Sequence, residues 1–248
     1  VRESFQPGAV LTRVARSHIR IGTFQFFAAR QDVEALNLLV EHVLARHYPD
    51  APGGDNPALA LLQQMIGAQA ALIAQWQLLG FIHGVMNTDN MLLSGETIDY
   101  GPCAFMDDFQ PDKVYSSIDR AGRYAYNNQP GIAHWNLAVL AQTLLPVLDK
   151  DQDKAVELAQ SAVDVFPDTF MAAHTEGLAQ KLGLAEVSGD DTSLIEDLFT
   201  VMAEQELDFT LTFRQLADLA DPALGGGAGH TGQIGGAADD GNVFEFGH

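Results

Sequence analysis

The sequence predicts a mainly helical α+β domain, and two features of its patterning lead to that class. Most of the chain between residues 31 and 219 carries apolar side chains at three-to-four-residue spacing, the period of an amphipathic α-helix. One segment, around Ser94-Gly95, departs from this period with two short apolar runs, as expected of a small hairpin. The 248 residues are 47% hydrophobic, which is enough to bury a large core.

The first half of the chain contains two predicted helices. One runs from Gln31 to Tyr48 and is broken by the proline- and glycine-rich stretch from Pro49 to Pro57. A longer and more apolar helix runs from Ala58 to Leu79. It is predicted to end at Gly80, because glycine readily takes the left-handed conformation that closes a helix.

The second half is predicted to be helical again. A long irregular stretch from Pro102 to Pro130 precedes it, and loops of that length in a compact domain are uncommon unless they are functional. Helices are then predicted at 132–148, 151–165, 169–182, 192–205 and 208–219. Residues 1–220 are therefore expected to form one domain, and the glycine-rich residues 221–248 a flexible tail or a truncated segment.

Charge and hydropathy limit the partners that are expected. A net charge of −20 repels a polyanion, so no nucleic-acid partner is expected. No uninterrupted apolar run approaches the roughly 18 residues that span a bilayer, and no signal peptide is recognisable, so we expect a cytoplasmic protein without a membrane partner. Six of the nine arginines fall in the first 46 residues. They either scatter over the surface or form a cationic cluster for a small anion such as a nucleotide phosphate.

The residues that indicate chemistry lie in one loop and the hairpin behind it. The loop reads His83-Gly-Val-Met-Asn-Thr-Asp89-Asn90 and is followed nine residues later by Asp99-Tyr-Gly101. Kinases share this order of a His-x-Asp-x-x-x-x-Asn loop, a hairpin and Asp-x-Gly, because the Asn and Asp oxygens converge on metal ions that bridge the nucleotide phosphates. Each piece alone is an ordinary turn signal. Together they predict a protein-kinase-like C-lobe with a small catalytic-loop hairpin, in which Asn90 and Asp99 are the metal ligands.

One position departs from the kinase pattern. Val85 stands where a kinase has the aspartate that accepts the proton of the substrate hydroxyl. A valine can neither orient nor deprotonate a nucleophile. The nearest carboxylate in the loop is Asp89, directly before Asn90. Compared with the kinase motif, the loop therefore retains the metal-binding residues, and its candidate base is Asp89 instead of the residue at position 85.

Several stretches resemble the selenoprotein O family of protein adenylyltransferases, over roughly residues 1 to 217. Beside the loop and Asp99-Tyr-Gly-Pro102, they are residues 7–20, Ala74-Gln-Trp76, Asp107-Asp108, Gly122-Arg-Tyr124 and Asn128-Gln-Pro130. The resemblance implies a pseudokinase in which ATP lies flipped relative to a kinase, so that AMP, or UMP in a variant, moves to a protein Ser, Thr or Tyr hydroxyl. ATP or UTP and protein substrates are then the partners, and Mg²⁺ or Mn²⁺ is the cofactor.

The resemblance also implies roles for individual residues. Asp89 would be the catalytic proton acceptor, and Asn90 and Asp99 would bind the metal. Arg13 and Arg20, spaced seven apart as in the family, would contact the nucleotide phosphates, and Asp99 would also approach ATP.

One departure from the family bears on what this chain can do. No glycine-rich region, phosphate-gripping lysine or paired glutamate precedes Val1, so most of the N-lobe is expected to be missing and the fragment alone to be inactive. Two other functions stay open. One is a kinase-like phosphotransferase, although aminoglycoside and choline kinases have Asp at the position of Val85. The other is a catalytically dead kinase-fold binding module.

Overall fold

A computed structural model describes residues 8–51, 54–185 and 187–219 of the chain. Eight α-helices and one two-stranded sheet make up this described part. The strands β1 (Phe81–Ile82) and β2 (Ala104–Phe105) pair antiparallel. Short 3₁₀ turns lie at Thr88–Asn90 and Tyr126–Asn128. The helices are α1 (Ile21–Ala28), α2 (Val33–His47), α3 (Pro57–Leu79), α4 (Gln129–Leu148), α5 (Gln152–Val163), α6 (Phe166–Leu182), α7 (Gly189–Glu204) and α8 (Phe209–Leu219).

The predicted mainly helical α+β class is confirmed, with three local corrections. Helix α1 was not predicted, because its eight residues are too few to display a repeating period. Helices α4, α6 and α7 begin three residues earlier than predicted. Proline in the first turn of α4 and α6 is tolerated and does not mark a break, and α7 begins after Ser188, whose side chain caps it. The stretch 102–130, predicted as irregular, contains β2 and a 3₁₀ turn. The predicted tail at 221–248 lies outside the described residues.

Helix α3 lies at the centre of the main core. It packs against α2, α4, α5 and α6 and buries eleven of its residues, so that apolar side chains are covered on several sides. A second cluster joins the sheet region to the last two helices. It contains Ile82, Met106, Phe109, Tyr126, Met202, Phe209 and Phe213.

Two helical segments have the length and mean hydropathy of a membrane span, although neither is an uninterrupted apolar run. They are Pro57–Leu79 and Tyr126–Leu148. In the most apolar part of each segment, 50% of the residues of the first and 44% of those of the second are buried inside the fold. Core helices pass the same test of length and composition. The two segments are therefore weak evidence for a membrane.

The chain before α1 joins the hairpin to the rest of the domain. Arg20 forms an antiparallel bridge with Leu92, and the Leu93 amide donates to the Ile19 carbonyl at 3.0 Å. A second bridge pairs Met91 with Thr97 around the predicted Ser94-Gly95 turn. The hairpin is thus present, and its first strand is held between the N-terminal segment and its own return strand.

Gly80 has a left-handed backbone and no space for a side chain, which leads to a stability prediction. Its φ is +66°, and a Cβ there would lie 2.8 Å from the ring of the buried Phe209. We expect Gly80→Ala to lower the free energy of unfolding by about 2–5 kcal/mol, because the left-handed backbone costs about 1–2 kcal/mol and overpacking about 1–3 kcal/mol.

Gly183 is the matched control for this prediction. Its φ is +69°, but nothing lies within 4 Å of the added Cβ. Gly183→Ala should therefore carry only the backbone cost of about 1–2 kcal/mol. Urea unfolding of both variants measures the difference, and equal losses would contradict the packing argument.

Candidate active site

The loop that follows β1 directs two neighbouring side chains in opposite directions. It ends in the 3₁₀ turn Thr88–Asn90. Within that turn Asp89 is exposed to solvent, whereas Asn90 is buried with 8% of its surface exposed. An accessible carboxylate therefore lies directly beside an inward-facing amide.

A series of hydrogen bonds connects this amide to the residue before Asp99. Asn90 Nδ2 donates to the Val85 carbonyl at 2.8 Å, and the Val85 amide donates to His83 Nδ1 at 3.3 Å. His83 Nε2 lies 2.7 Å from the Ile98 carbonyl. Because Nδ1 accepts the hydrogen bond from the Val85 amide, it carries no proton, and Nε2 carries the proton that it donates to the Ile98 carbonyl. His83 is therefore in the neutral form, protonated on Nε2. Burial lowers the pKa of His83, which favours the same neutral form.

The Asn90 amide oxygen has the character of an unused ligand. Its Oδ1 is buried and has no hydrogen-bond partner among the residues that the structure describes, although buried polar atoms are nearly always bonded. Amide and carboxylate oxygens suit hard cations such as Mg²⁺ and Mn²⁺. Asn90 and Asp99 therefore fit the chemistry of the predicted metal.

Within the described ranges, no cluster of three or more His, Cys, Asp or Glu side chains could hold a metal ion. An ion held by Asn90 and Asp99 would thus need further ligands from water or phosphate. Magnesium bound together with a nucleotide has this kind of coordination, with one or two protein carboxylates and the substrate phosphates.

Arg13 and Asp99 lie together in one cleft. The Arg13 guanidinium is 2.7 Å from Asp99 Oδ1, and the two side chains are 47% and 37% exposed. Both line a cleft of about 720 Å³, together with His18 and Tyr100. A pair this exposed contributes only about 0–1 kcal/mol to stability. The arginine is therefore available to an anion at little cost to the fold.

Asp99 itself has an unusual backbone. Its φ is +64°, a region that few residues other than glycine adopt, and its carbonyl accepts the Gly101 amide at 2.7 Å. Backbone strain of this kind is concentrated at functional sites. It supports a functional interpretation of the Asp99-Tyr-Gly101 segment.

Arg20 is placed differently from Arg13. Its backbone pairs with Leu92, two residues after Asn90, and its amide donates to Thr23 Oγ1 at 3.1 Å at the start of α1. Arg20 is not among the residues that line the cleft, and its Nε is buried without a hydrogen-bond partner among the described residues. The structure brings Arg13 to Asp99, and the phosphate role of both arginines stays a prediction.

Two buried side-chain amides on α4 hydrogen-bond to the backbone of the loop. Neither was assigned a role from the sequence, although Gln129 lies in the family-like stretch Asn128-Gln-Pro130. Gln129 Nε2 donates to the Phe81 carbonyl at 2.9 Å, and its Oε1 accepts the His83 amide at 2.9 Å. Asn136 Nδ2 donates to the Met86 carbonyl at 2.9 Å. A polar residue on the buried face of an otherwise apolar helix is the signal that could have identified Asn136.

The neutral His83 leads to a prediction for the dependence of stability on pH. Its pKa is lowered from 6.5 in the folded protein, so the unfolded state binds more protons as the pH falls below about 6.5. The free energy of unfolding therefore decreases as the pH falls below about 6.5. His83 contributes at most about 1.4 kcal/mol per pH unit to this decrease.

His83→Gln should have a smaller slope of unfolding free energy against pH between about pH 7 and 5. Some dependence will remain, since burial also lowers the pKa of His47 and His174. Urea unfolding across this range measures the slopes. Identical slopes in the variant and the native chain would contradict a buried neutral His83.

An inward amide oxygen, an aspartate with a left-handed backbone, an arginine and an exposed carboxylate are the kinds of group that transferases use on nucleotide phosphates. The comparison with known families agrees with this class. The chain belongs to the SelO family of protein adenylyltransferases, because the family model described as "Protein adenylyltransferase SelO" matches residues 1–228. The resemblance found in the sequence is confirmed.

Individual relatives carry a related name. The chain is 60% identical over 223 residues to a protein nucleotidyltransferase YdiU of Rhodopseudomonas palustris (strain BisB5). It is 58% identical over 224 residues to the protein of that name from Bradyrhizobium diazoefficiens, and 57% over 220 residues to that from Agrobacterium fabrum. These matches cover 89–90% of this chain but 45–46% of the relatives. The chain thus spans about half the length of the curated relatives it matches.

Proposed function

We propose that this chain contributes the metal-binding and acceptor-activating part of an enzyme that transfers AMP, or UMP, from a nucleoside triphosphate to protein hydroxyl groups. Membership of the SelO family and the names of the relatives support nucleotidyl transfer in general. The observation that carries the proposal is the loop itself. Asp89 faces solvent beside the buried oxygen of Asn90, while Val85 occupies the position of the kinase base.

The same proposal includes a kinase-like C-lobe over residues 1–220. Its support is the order of elements around the loop, in which a long buried helix leads through β1 to the loop, the hairpin and Asp99, and a helical half follows. This is the order in which kinases present their catalytic loop and metal-binding aspartate.

In the proposed reaction Asp89 accepts the proton of the acceptor hydroxyl. The hydroxyl oxygen forms a bond to the α-phosphorus of ATP, and the bond between that phosphorus and the oxygen leading to the β-phosphate breaks. Pyrophosphate leaves with the electron pair of that bond, and the acceptor protein retains AMP as a phosphodiester. Val85 cannot take the proton, so the nearby carboxylate is the base.

The remaining site residues bind the metal ion and the nucleotide phosphates. Asn90 and Asp99 would hold Mg²⁺ or Mn²⁺, which when bound neutralises charge on the phosphate oxygens. Arg13 leaves its exposed pairing with Asp99 and donates charge-assisted hydrogen bonds to a phosphate. Arg20, whose Nε has no partner among the described residues, is the second phosphate contact.

Radiolabelled ATP tests the proposal. The full-length gene product is incubated with Mg²⁺ or Mn²⁺, a protein acceptor and ATP labelled on either the α- or the γ-phosphate. We expect the α-label on protein and the γ-label in released pyrophosphate. Label transferred from the γ-phosphate would identify a phosphotransferase, and nucleotide binding without any transfer would identify a binding module.

A further inference from the structure

We propose that Arg123, held against Trp135 beside the catalytic loop, selects protein acceptors that carry an acidic side chain close to the modified hydroxyl. This inference rests on the proposed function, because it names the class of acceptor for the same site. It concerns Asp119, Arg123, Tyr124 and Trp135, which we call the acceptor surface.

The acceptor surface is joined directly to the loop that carries Asp89. The Tyr124 hydroxyl donates to Asn87 Oδ1 at 2.5 Å, and Asn87 is the residue from which the 3₁₀ turn with Asp89 begins. Asp119 holds the other end, since its two carboxylate oxygens accept the amides of Arg123 and Tyr124 at 2.9 and 2.7 Å. Arg123 is thus presented from a backbone that is hydrogen-bonded on both sides.

Two aromatic rings orient the side chain of Arg123, but its positive charge has no acidic partner among the described residues. Its Cζ lies 4.8 Å from the centre of the Trp135 ring and 5.7 Å from that of Tyr124, and both contacts favour a cation. Among the described residues it forms no ion pair within 4 Å, although the chain has 33 acidic and 13 basic residues. The nearby Asp119 uses both oxygens on backbone amides. The guanidinium donors of Arg123 therefore stay available to a carboxylate from outside.

The surface continues away from the loop as an apolar groove. Trp135 is 47% exposed and lines a cavity of about 440 Å³ between α4 and α5, next to Gly131 and Val156. An acceptor segment with its hydroxyl at Asp89 would extend across Arg123 towards this groove. The groove supplies contact area, and Arg123 supplies the selectivity.

Local charge decides between acidic and basic acceptors. The net charge of −20 attracts basic proteins at long range, but salt screens such attraction beyond about 8 Å under physiological conditions. At contact distance the acceptor meets the unpaired Arg123. A flanking Asp or Glu can form a two-fold hydrogen bond with this guanidinium, whereas a flanking Lys would be repelled.

Acceptor peptides test the inference in the full-length gene product. Peptides with one hydroxyl and a flanking Asp, Asn or Lys are compared by kcat/KM for AMP transfer. We expect the Asp peptide to exceed the Lys peptide by about tenfold, the order of a partly exposed charge-assisted pair. Arg123→Gln should abolish this preference and Arg123→Glu should reverse it. Arg120→Gln, at an exposed arginine in the same segment, should retain it.

Tryptophan fluorescence gives a readout that needs no chemistry. The chain has two tryptophans, of which Trp76 is buried and Trp135 is half-exposed. The Asp peptide should change the emission of the native chain, the Lys peptide should not, and Trp135→Phe should remove the response.

The two measurements separate the inference from the proposed function. Transfer at equal rates to Asp and Lys peptides would overturn the acceptor selectivity and leave AMP transfer intact. Failure of transfer to every protein and peptide, with the acidic-peptide fluorescence response preserved, would refute the proposed reaction and keep the acidic binding surface. An emission change that is absent, or equal for both peptides, would overturn the inference.

Discussion

Asp89→Asn is expected to lower the rate of AMP transfer by about 10²–10⁴-fold, the usual contribution of a general base. The substitution keeps the size of the side chain and removes its ability to accept the acceptor proton. Because Asp89 is exposed, the fold should be unaffected. Steady-state kinetics of the full-length gene product measure the loss, with the KM for ATP expected to stay close to its native value.

Asp112→Asn is the matched control for this variant. Asp112 is also an exposed aspartate in a loop, so its substitution should change neither activity nor thermal stability. Full activity in Asp89→Asn would exclude the carboxylate as the base. A large drop in thermal stability would instead indicate that the loss of activity comes from misfolding.

Asn90→Ala is expected to weaken metal binding by at least about 10- to 100-fold. Substitutions of groups that merely support a metal ligand already cost that much, and Asn90 presents its own oxygen. Activity against Mn²⁺ concentration, together with calorimetric Mn²⁺ binding in the presence of nucleotide, measures the shift. Excess Mn²⁺ should restore part of the activity.

A second substitution separates the ligand role of Asn90 from its role in the loop. Asn90→Asp keeps an oxygen for the metal and loses the Nδ2 donor to the Val85 carbonyl. It should therefore retain most of the metal affinity, while Asn90→Ala loses it. Equal metal titrations for the native protein and Asn90→Ala would show that the buried oxygen has another purpose.

The helical class and the catalytic loop were predictable because both depend on residues that are close in the sequence. Helical periodicity can be recognised within a window of 11–18 residues. This periodicity located seven of the eight described helices. The loop motif is equally local, with Asp89 and Asn90 adjacent and Asp99 nine residues later. Helix α1 was missed for the opposite reason, since eight residues contain barely two turns.

Contacts between distant residues could not be read from these patterns. Arg13 and Asp99 are separated by 86 positions and Tyr124 and Asn87 by 37, and no local period encodes which of them meet. The resemblance to a family indicated that Arg13 belongs to the site. It did not indicate that this arginine pairs with the candidate metal ligand.

Local chemistry and long-range packing thus account for different parts of this protein. The order of residues along the chain specifies the helices, the hairpin and the loop with its candidate base and metal ligands, because propensity and motif spacing act over short distances. Packing of α4 against the loop decides where the loop lies, since Gln129 and Asn136 hydrogen-bond to its backbone between Phe81 and Met86. The exposure of Asp89 and the burial of the Asn90 oxygen are seen only in the folded protein, because burial depends on residues that are distant in the sequence.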